Sequence, residues 1–235
     1  TSGNDIYAGA DGDGVYRSTN NGTSWTLVSN GLTNTRINAL AVSGSNLFAG
    51  TFGGNGVYRS TNSGTNWTAA GSGLTNTDVW TIAVSGMNIF AGTGSGVFRS
   101  TNNGTSWTLA GSGLTGLYIH SLAFTGTNIF AGTDADGVFL STNSGSNWNA
   151  ANSGLTDMTI WVLAIYGTNL FAGSNGSGVW KRPLSELNLT SAGGISTEVP
   201  KQFSLEQNYP NPFNPATKIK FAITKSGIVN LTVYD

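Results

Sequence analysis

Four pairs of side chains able to bind or react recur at matching places along the chain: Arg36 and Asn38, Asp78 and Trp80, Tyr118 and His120, Thr159 and Trp161. Guanidinium, carboxylate, indole, phenol and imidazole groups are the ones that grip a sugar face or a protein anchor. The same groups can also do no more than plug the mouth of a channel. A second set lies in two Asp-x-Asp-Gly loops, Asp11-Gly12-Asp13-Gly14 and Asp134-Ala135-Asp136-Gly137. Asp11, Asp13, Asp134 and Asp136 could begin a Ca²⁺ site, but the other oxygens of a full loop are missing and Asp-Gly is an ordinary turn. Solvated turn residues are the leading reading, and no other cofactor is expected.

Hydrolytic machinery is harder to find. Residues 1–180 contain no glutamate; Glu186, Glu198 and Glu206 come later. Arg17, Arg59 and Arg99 occupy one repeated position, which is Leu140 in the fourth copy, and residues placed identically in successive units do not converge on one centre. His120, the only histidine, has no matched carboxylate near it in sequence. It reads as a channel-lining residue rather than a base, and the stretch as non-catalytic.

The elements that must position these residues come from a repeat. Gly14–Trp25 (GVYRSTNNGTSW) returns as Gly56–Trp67, Gly96–Trp107 and Gly137–Trp148, and a fifth copy opens at Gly178 and breaks off at Lys181-Arg182-Pro183. The steps from Ser18 to Ser60, Ser100 and Ser141 are 42, 40 and 41 residues. A period in the forties points to an array of four-stranded units, of which a propeller blade is the usual case. Within Ile37–Gly73, four strand-length pieces each end in Gly, Asn or Ser and no 3.6-residue period is visible, which predicts an antiparallel meander. In a propeller the first strand lines the central channel, so the four variable pairs at its start gather on one rim. Agreement between copies marks what the blade requires, and divergence marks room for another task.

Blade faces are apolar and need neighbours. Ala39, Ala41, Ala49 and their repeats are expected at close contacts between faces, and Trp25, Trp67, Trp107 and Trp148 as buried anchors. In the Ser-Thr-Asn-x-Gly turn, Asn20, Asn62, Asn102 and Asn143 can accept a backbone N–H two residues on, while Gly22, Gly64, Gly104 and Gly145 supply positive φ. This segment resembles the Asp-box (BNR) repeat, Ser-x-Asp-x-Gly-x-Thr-Trp, with Asn at the Asp position in all four copies. The resemblance covers Asp5 to about Leu184 and implies an all-β fold of β-propeller blades. In that family the box is a structural hairpin, found in sialidases and in many non-enzymatic surface proteins.

Charged residues make up only 9% of the 235, against about 25% in an average domain. A net charge of −1 gives no electrostatic case for nucleic acid, and the apolar runs are too short to span a bilayer as helices. The absence of cysteine leaves the compartment unread from redox chemistry. The chain starts inside a repeat, so an export signal, if there is one, is expected upstream.

Beyond the repeats (1–184), residues 185–202 read as a linker and 203–235 as a separate tail. The tail run NYPNPFNPATKIKFAI, followed by GIVNLTVYD, resembles the C-terminal sorting domain of the type IX secretion system, here truncated. That resemblance implies recognition by the type IX machinery through residues 203–235, export from a Bacteroidetes-type bacterium and display on its outer surface. Strand patterns at Lys218–Ile223 and Val229–Tyr234 predict a β-hairpin, which the resemblance implies belongs to an incomplete β-sandwich.

Five blade cores are visible, the first without its first strand and the last without its fourth. This predicts a segment of a larger ring or a five-unit arc, with self-association through incomplete blades as a risk. The leading functional expectation is a secreted, surface-displayed binding or scaffolding module with a surface glycan or protein as ligand. Two alternatives remain. One is a carbohydrate-active, sialidase-like enzyme whose catalytic residues lie upstream, and the other a self-assembling structural surface protein.

Overall fold

The computed structural model describes residues 5–114 and 116–187, together with 204–205 and 221–222. The chain divides into two compact units, Thr1–Ala192 and Gly193–Asp235. In the second, Ser204–Leu205 pairs antiparallel with Phe221–Ala222. The partner strand expected at 229–234 lies outside the described residues.

The first unit is a series of antiparallel meanders. The first sheet comprises β1 (Ile6–Ala10), β2 (Gly14–Ser18) and β3 (Thr26–Leu27). Three four-stranded sheets follow: β4 (Ile37–Ser43) to β7 (Thr68–Ala69), β8 (Val79–Ser85) to β11 (Thr108–Leu109), and β12 (Ile119–Thr125) to β15 (Asn149–Ala150). The last has β16 (Ile160–Tyr166), β17 (Asn169–Ser174) and β18 (Val179–Pro183). Strand order within every sheet follows the sequence, as short hairpin connections require. Among the described residues no helix is long and apolar enough to cross a membrane.

The second strands carry the packing. Phe48, Phe90 and Phe130 are fully buried, as are Ala49, Ala91 and Ala131 beside them. The glycine that follows sets the spacing between sheets: a Cβ on Gly92 would meet Ile119 of the next blade at 2.8 Å, and one on Gly132 would meet Ile160 at 2.8 Å. The Phe-Ala-Gly triplet thus combines a large anchor, a small contact residue and a bare backbone against which the next first strand lies.

Each repeated tryptophan belongs to the joint behind it. Trp67 Nε1 donates to the Val28 carbonyl (2.7 Å), Trp107 Nε1 to Ala70 (2.6 Å) and Trp148 Nε1 to Ala110 (2.8 Å), always the last residue of the preceding blade's outer strand region. These three rings are 3%, 2% and 5% exposed. Trp25, expected in the core with them, is 42% exposed. The expectation fails for a physical reason: an indole that is buried by the preceding blade stays open where the described chain has no such blade.

The turns also differ in detail from the sequence reading. Asn20 Oδ1 accepts from Ser24 N–H, four residues on rather than two, while Ser18 Oγ accepts from Gly22 N–H, both at 2.9 Å. The other three copies repeat this pattern. Positive φ is shared between the variable residue and the glycine, as at Asn21 (55°) and Gly22 (83°).

The fifth blade ends differently. The sequence has no tryptophan after Trp180, and Arg182 Nη1 donates to the Ala151 carbonyl, the acceptor equivalent to Ala110 (3.3 Å). A 3₁₀ turn at Leu184–Glu186 then brings Leu187 into the cluster of Val138, Leu140 and Ala172. Leu187, assigned to the linker because it lacks the period, therefore packs on the repeat. On the outer face, Val179 is 72% exposed, whereas its equivalents Val15, Val57, Val97 and Val138 are at most 1% exposed.

Candidate functional site

One end of the array carries the loops between second and third strands together with the segments that lead from blade to blade. Backbone bonds tie them: Gly14 N–H to Thr35 O (2.9 Å), Gly56 N–H to Thr77 O (3.2 Å) and Gly137 N–H to Met158 O (2.8 Å). We call this end the loop rim. The Ser-Thr-Asn turns lie at the opposite end, the turn rim.

Where the first strands leave the loop rim they all bulge. Ile37 pairs with Thr51 and Ala39 with Gly50, leaving Asn38 without an opposing residue. The same skip occurs at Trp80, His120 and Trp161. A bulge breaks the strict alternation of faces and re-aims its extra side chain. The second member of every variable pair is thus a bulge residue.

Three of these four meet. The Trp80 and His120 rings lie 5.0 Å apart edge to face, and His120 and Trp161 lie 4.2 Å apart. Phe52, which the sequence reading missed, extends the row with its ring 4.9 Å from Trp80. Arg36 then lies over Phe52 at 4.6 Å, and its Nε donates to Asp11 Oδ1 at 2.8 Å. The result is a ladder across four blades: Arg36, Phe52, Trp80, His120, Trp161. Asn38 is exposed and outside it. The Trp80 Nε1 atom is buried without an acceptor.

The remaining candidates frame the ladder. Asp78 accepts from the Gly53 and Gly54 N–H groups (2.8 and 3.2 Å) and so fixes the Phe52 loop. Tyr118, 50% exposed, lies over Gly94, where a Cβ would stand 3.1 Å from its ring. Asp134 comes within 3.2 Å of His120 Nε2, the carboxylate that no neighbour in sequence offered. Asp157, also missed, accepts from Gly176 and Thr159 N–H; the Gly176 bond first and the Thr159 bond second hold its carboxyl below the ordinary carboxylate range. Of the two Asp-x-Asp-Gly loops, one carboxylate each engages a basic group, Arg36 or His120, while Asp13 and Asp136 are exposed. Among the described residues, no three His, Cys, Asp or Glu side chains converge as metal ligands.

A cleft of about 480 Å³, lined by Ala151, Asn152, Arg182 and Glu186, lies elsewhere. It is lined by residues of β18 and of segment 149–153.

No protein-family model matches the chain, and no curated protein matches it in sequence. Solved structures do. An ancestral GH74 enzyme is 26% identical with a TM-score of 0.59, over 72% of this chain and 25% of that one. The extracellular domain of the two-component system BT4673 from B. thetaiotaomicron is 20% identical with a TM-score of 0.64, over 77% and 26%. YCF48 bound to D1 peptide is 14% identical with a TM-score of 0.59, over 74% and 60%. The fold is a β-propeller. The chain spans about a quarter of the length of the first two structures, and the ladder lies where the first strands of successive blades meet.

Proposed function

We propose that the chain is a binding module of a secreted, surface-displayed protein, with the loop-rim ladder as its ligand platform. The observation that carries this reading is the coincidence of divergence and convergence. The positions at which the blades differ most, the bulge residues, supply side chains from separate blades that stack on one another. Simple channel plugging does not need Tyr118 to stand open, 50% exposed, beside the row. Exposed aromatic rings flanked by polar groups are the surface elements from which binding energy is most often drawn.

The module carries Asp-box-type turns as scaffold and takes no part in catalysis. Residues 203–235 act as a type IX sorting signal and place the protein on the outer surface of a Bacteroidetes-type cell. The tail's proline spacing supports that assignment, and the extracellular BT4673 domain, which shares the fold, is in keeping with it. Ligands of this platform are glycans or protein segments; YCF48, whose structure is similar to this fold, is bound to D1 peptide.

A second reading has one observation in its favour, the likeness to a GH74 enzyme. In that case the chain is part of a carbohydrate-active enzyme whose catalytic residues lie outside it. Glycan-array and peptide-array binding by the chain, measured against Trp161→Ala, tests the first reading. Binding that ignores this substitution removes it. Turnover of a chromogenic glycoside by the chain joined to its upstream sequence establishes the second.

A further inference from the structure

The repeat runs on past the point where its motif breaks off. Val179 aligns with Val57, Val97 and Val138 on the third strands. Counting forward from it without insertion or deletion brings Asn188 onto Asn66 and Asn147, and Leu189 onto Trp67, Trp107 and Trp148. Thr190 then falls on Thr68 and Thr108, Ala192 on Ala70, Ala110 and Ala151, and Gly193 on Gly71 and Gly111. Asn188-Leu189-Thr190-Ser191-Ala192-Gly193 therefore reads as Asn66-Trp67-Thr68-Ala69-Ala70-Gly71 with two substitutions. The mismatch is confined to 182–187, where the 3₁₀ turn takes the place of the Ser-Thr-Asn hairpin. The first compact unit runs to Ala192, one residue short of the end of the match.

The described residues supply the groove that such a segment needs. In the middle blades three bonds fix the fourth strand. Trp107 N–H donates to the Ser72 carbonyl (2.8 Å), its indole to the Ala70 carbonyl (2.6 Å), and Ala110 N–H, at the strand's far end, to the Val97 carbonyl (2.7 Å). In the same frame the acceptors for the fifth blade are Ser153, Ala151 and Val179. Ser153 and Ala151 line two clefts beside β18, of about 480 and 410 Å³, which share Arg182 and Glu186. A Cβ on Gly73 would collide with the Trp107 carbonyl, whereas among the described residues nothing stands within 4 Å of one on the equivalent Gly154.

The Ala151 carbonyl links groove and sequence. A leucine at the tryptophan position brings no N–H, and Arg182, where the other copies have serine, gives its Nη1 to that carbonyl instead (3.3 Å). The two departures from the repeat, Leu for Trp and Arg for Ser, thus account for each other. We propose that the groove beside β18 is the seat of the chain's own residues 189–191, which complete the fifth blade as a fourth strand with Leu189 in place of the joint tryptophan. Residues 188–192 lie outside the described residues, so the unbroken frame and the shape of the groove carry this inference. It closes the β18 edge to pairing with another chain and moves the start of the linker to Gly193.

The test uses the whole chain. In ¹⁵N-detected hydrogen exchange, the Leu189 and Ala192 amides should exchange at least about tenfold more slowly than that of Thr197, being bonded to the Ser153 and Val179 carbonyls. Leu189→Asp should lower the Tm by about 5 °C or more, while Thr197→Asp should leave it unchanged. Arg182→Ala should lower it by about 2–4 °C, and adding Leu189→Trp should recover it, because the indole N–H reaches the same carbonyl. Rapid exchange of both amides, Leu189→Asp melting with the unaltered protein, or failure of Leu189→Trp to rescue overturns the proposal. Should Leu189→Asp fail to fold, exchange in the unaltered chain still decides. Protection of Ala192 that vanishes on dilution, as the mass by light scattering falls from dimer to monomer, assigns the groove to a neighbouring copy and overturns closure by the chain itself.

Discussion

The two rims are built from the same repeats and differ in almost every other respect. At the turn rim, Ser, Asn and Gly recur in all four copies because each makes the same bond: hydroxyl to glycine N–H, amide oxygen to the N–H four residues on. At the loop rim the equivalent residues are Asn38, Trp80, His120 and Trp161, united only by the bulge that re-aims them. One rim spends its sequence on closing hairpins; the other is released from that duty. Conformity between copies therefore reports folding, and departure from it marks where recognition can be placed.

The sharpest way to break this contrast is at the joints. Trp107→Ala removes a buried indole and leaves the Ala70 carbonyl unmet, so denaturant unfolding should show a loss of about 3–5 kcal/mol. Trp25→Ala, at the same repeat position but open, should cost less than about 1 kcal/mol. Equal losses would refute the assignment of each tryptophan to the blade behind it. Next in size is Ser100→Ala, which strips the Gly104 N–H of its acceptor in a buried turn and should cost about 1–3 kcal/mol by thermal melting.

Smaller effects are expected at the loop rim. The folded pKa of Asp157 is depressed, so its contribution is fully present above the ordinary carboxylate value of about 4 and is lost as pH falls through the depressed one. Acid unfolding of Asp157→Asn should lack that increment, while the two proteins should behave alike in their pH response near neutrality. Smallest of all, Trp161→Ala should change stability by less than about 1 kcal/mol while removing binding, because the ring is half exposed. A large stability loss there would mark the ladder as core.

Much of this was legible in the sequence. Alternating short strands, the Ser-Thr-Asn-x-Gly turn and the divergent pairs are local patterns, and local patterns survive reading. What was hidden depended on neighbours. Trp25 carries the same motif as Trp107, yet its burial is decided by a blade behind it. Phe52 sits in a loop whose equivalents are Gly94, Asp134 and Asn175, so no repeat signalled that its ring would meet Trp80. The pairing of His120 with Asp134 joins residues 14 apart through one hairpin, which spacing alone did not announce. Leu187 fills apolar space beside β18, and only the fold reveals that space.

The most direct measurement follows the seven indole N–H signals of ¹⁵N-labelled protein as a glycan or peptide selected from the binding arrays is added. Trp80 and Trp161 should shift in a saturable way, while Trp25, Trp67, Trp107 and Trp148 stay in place. Shifts at the joint tryptophans, or none at the ladder, would contradict a ligand platform built on the loop rim.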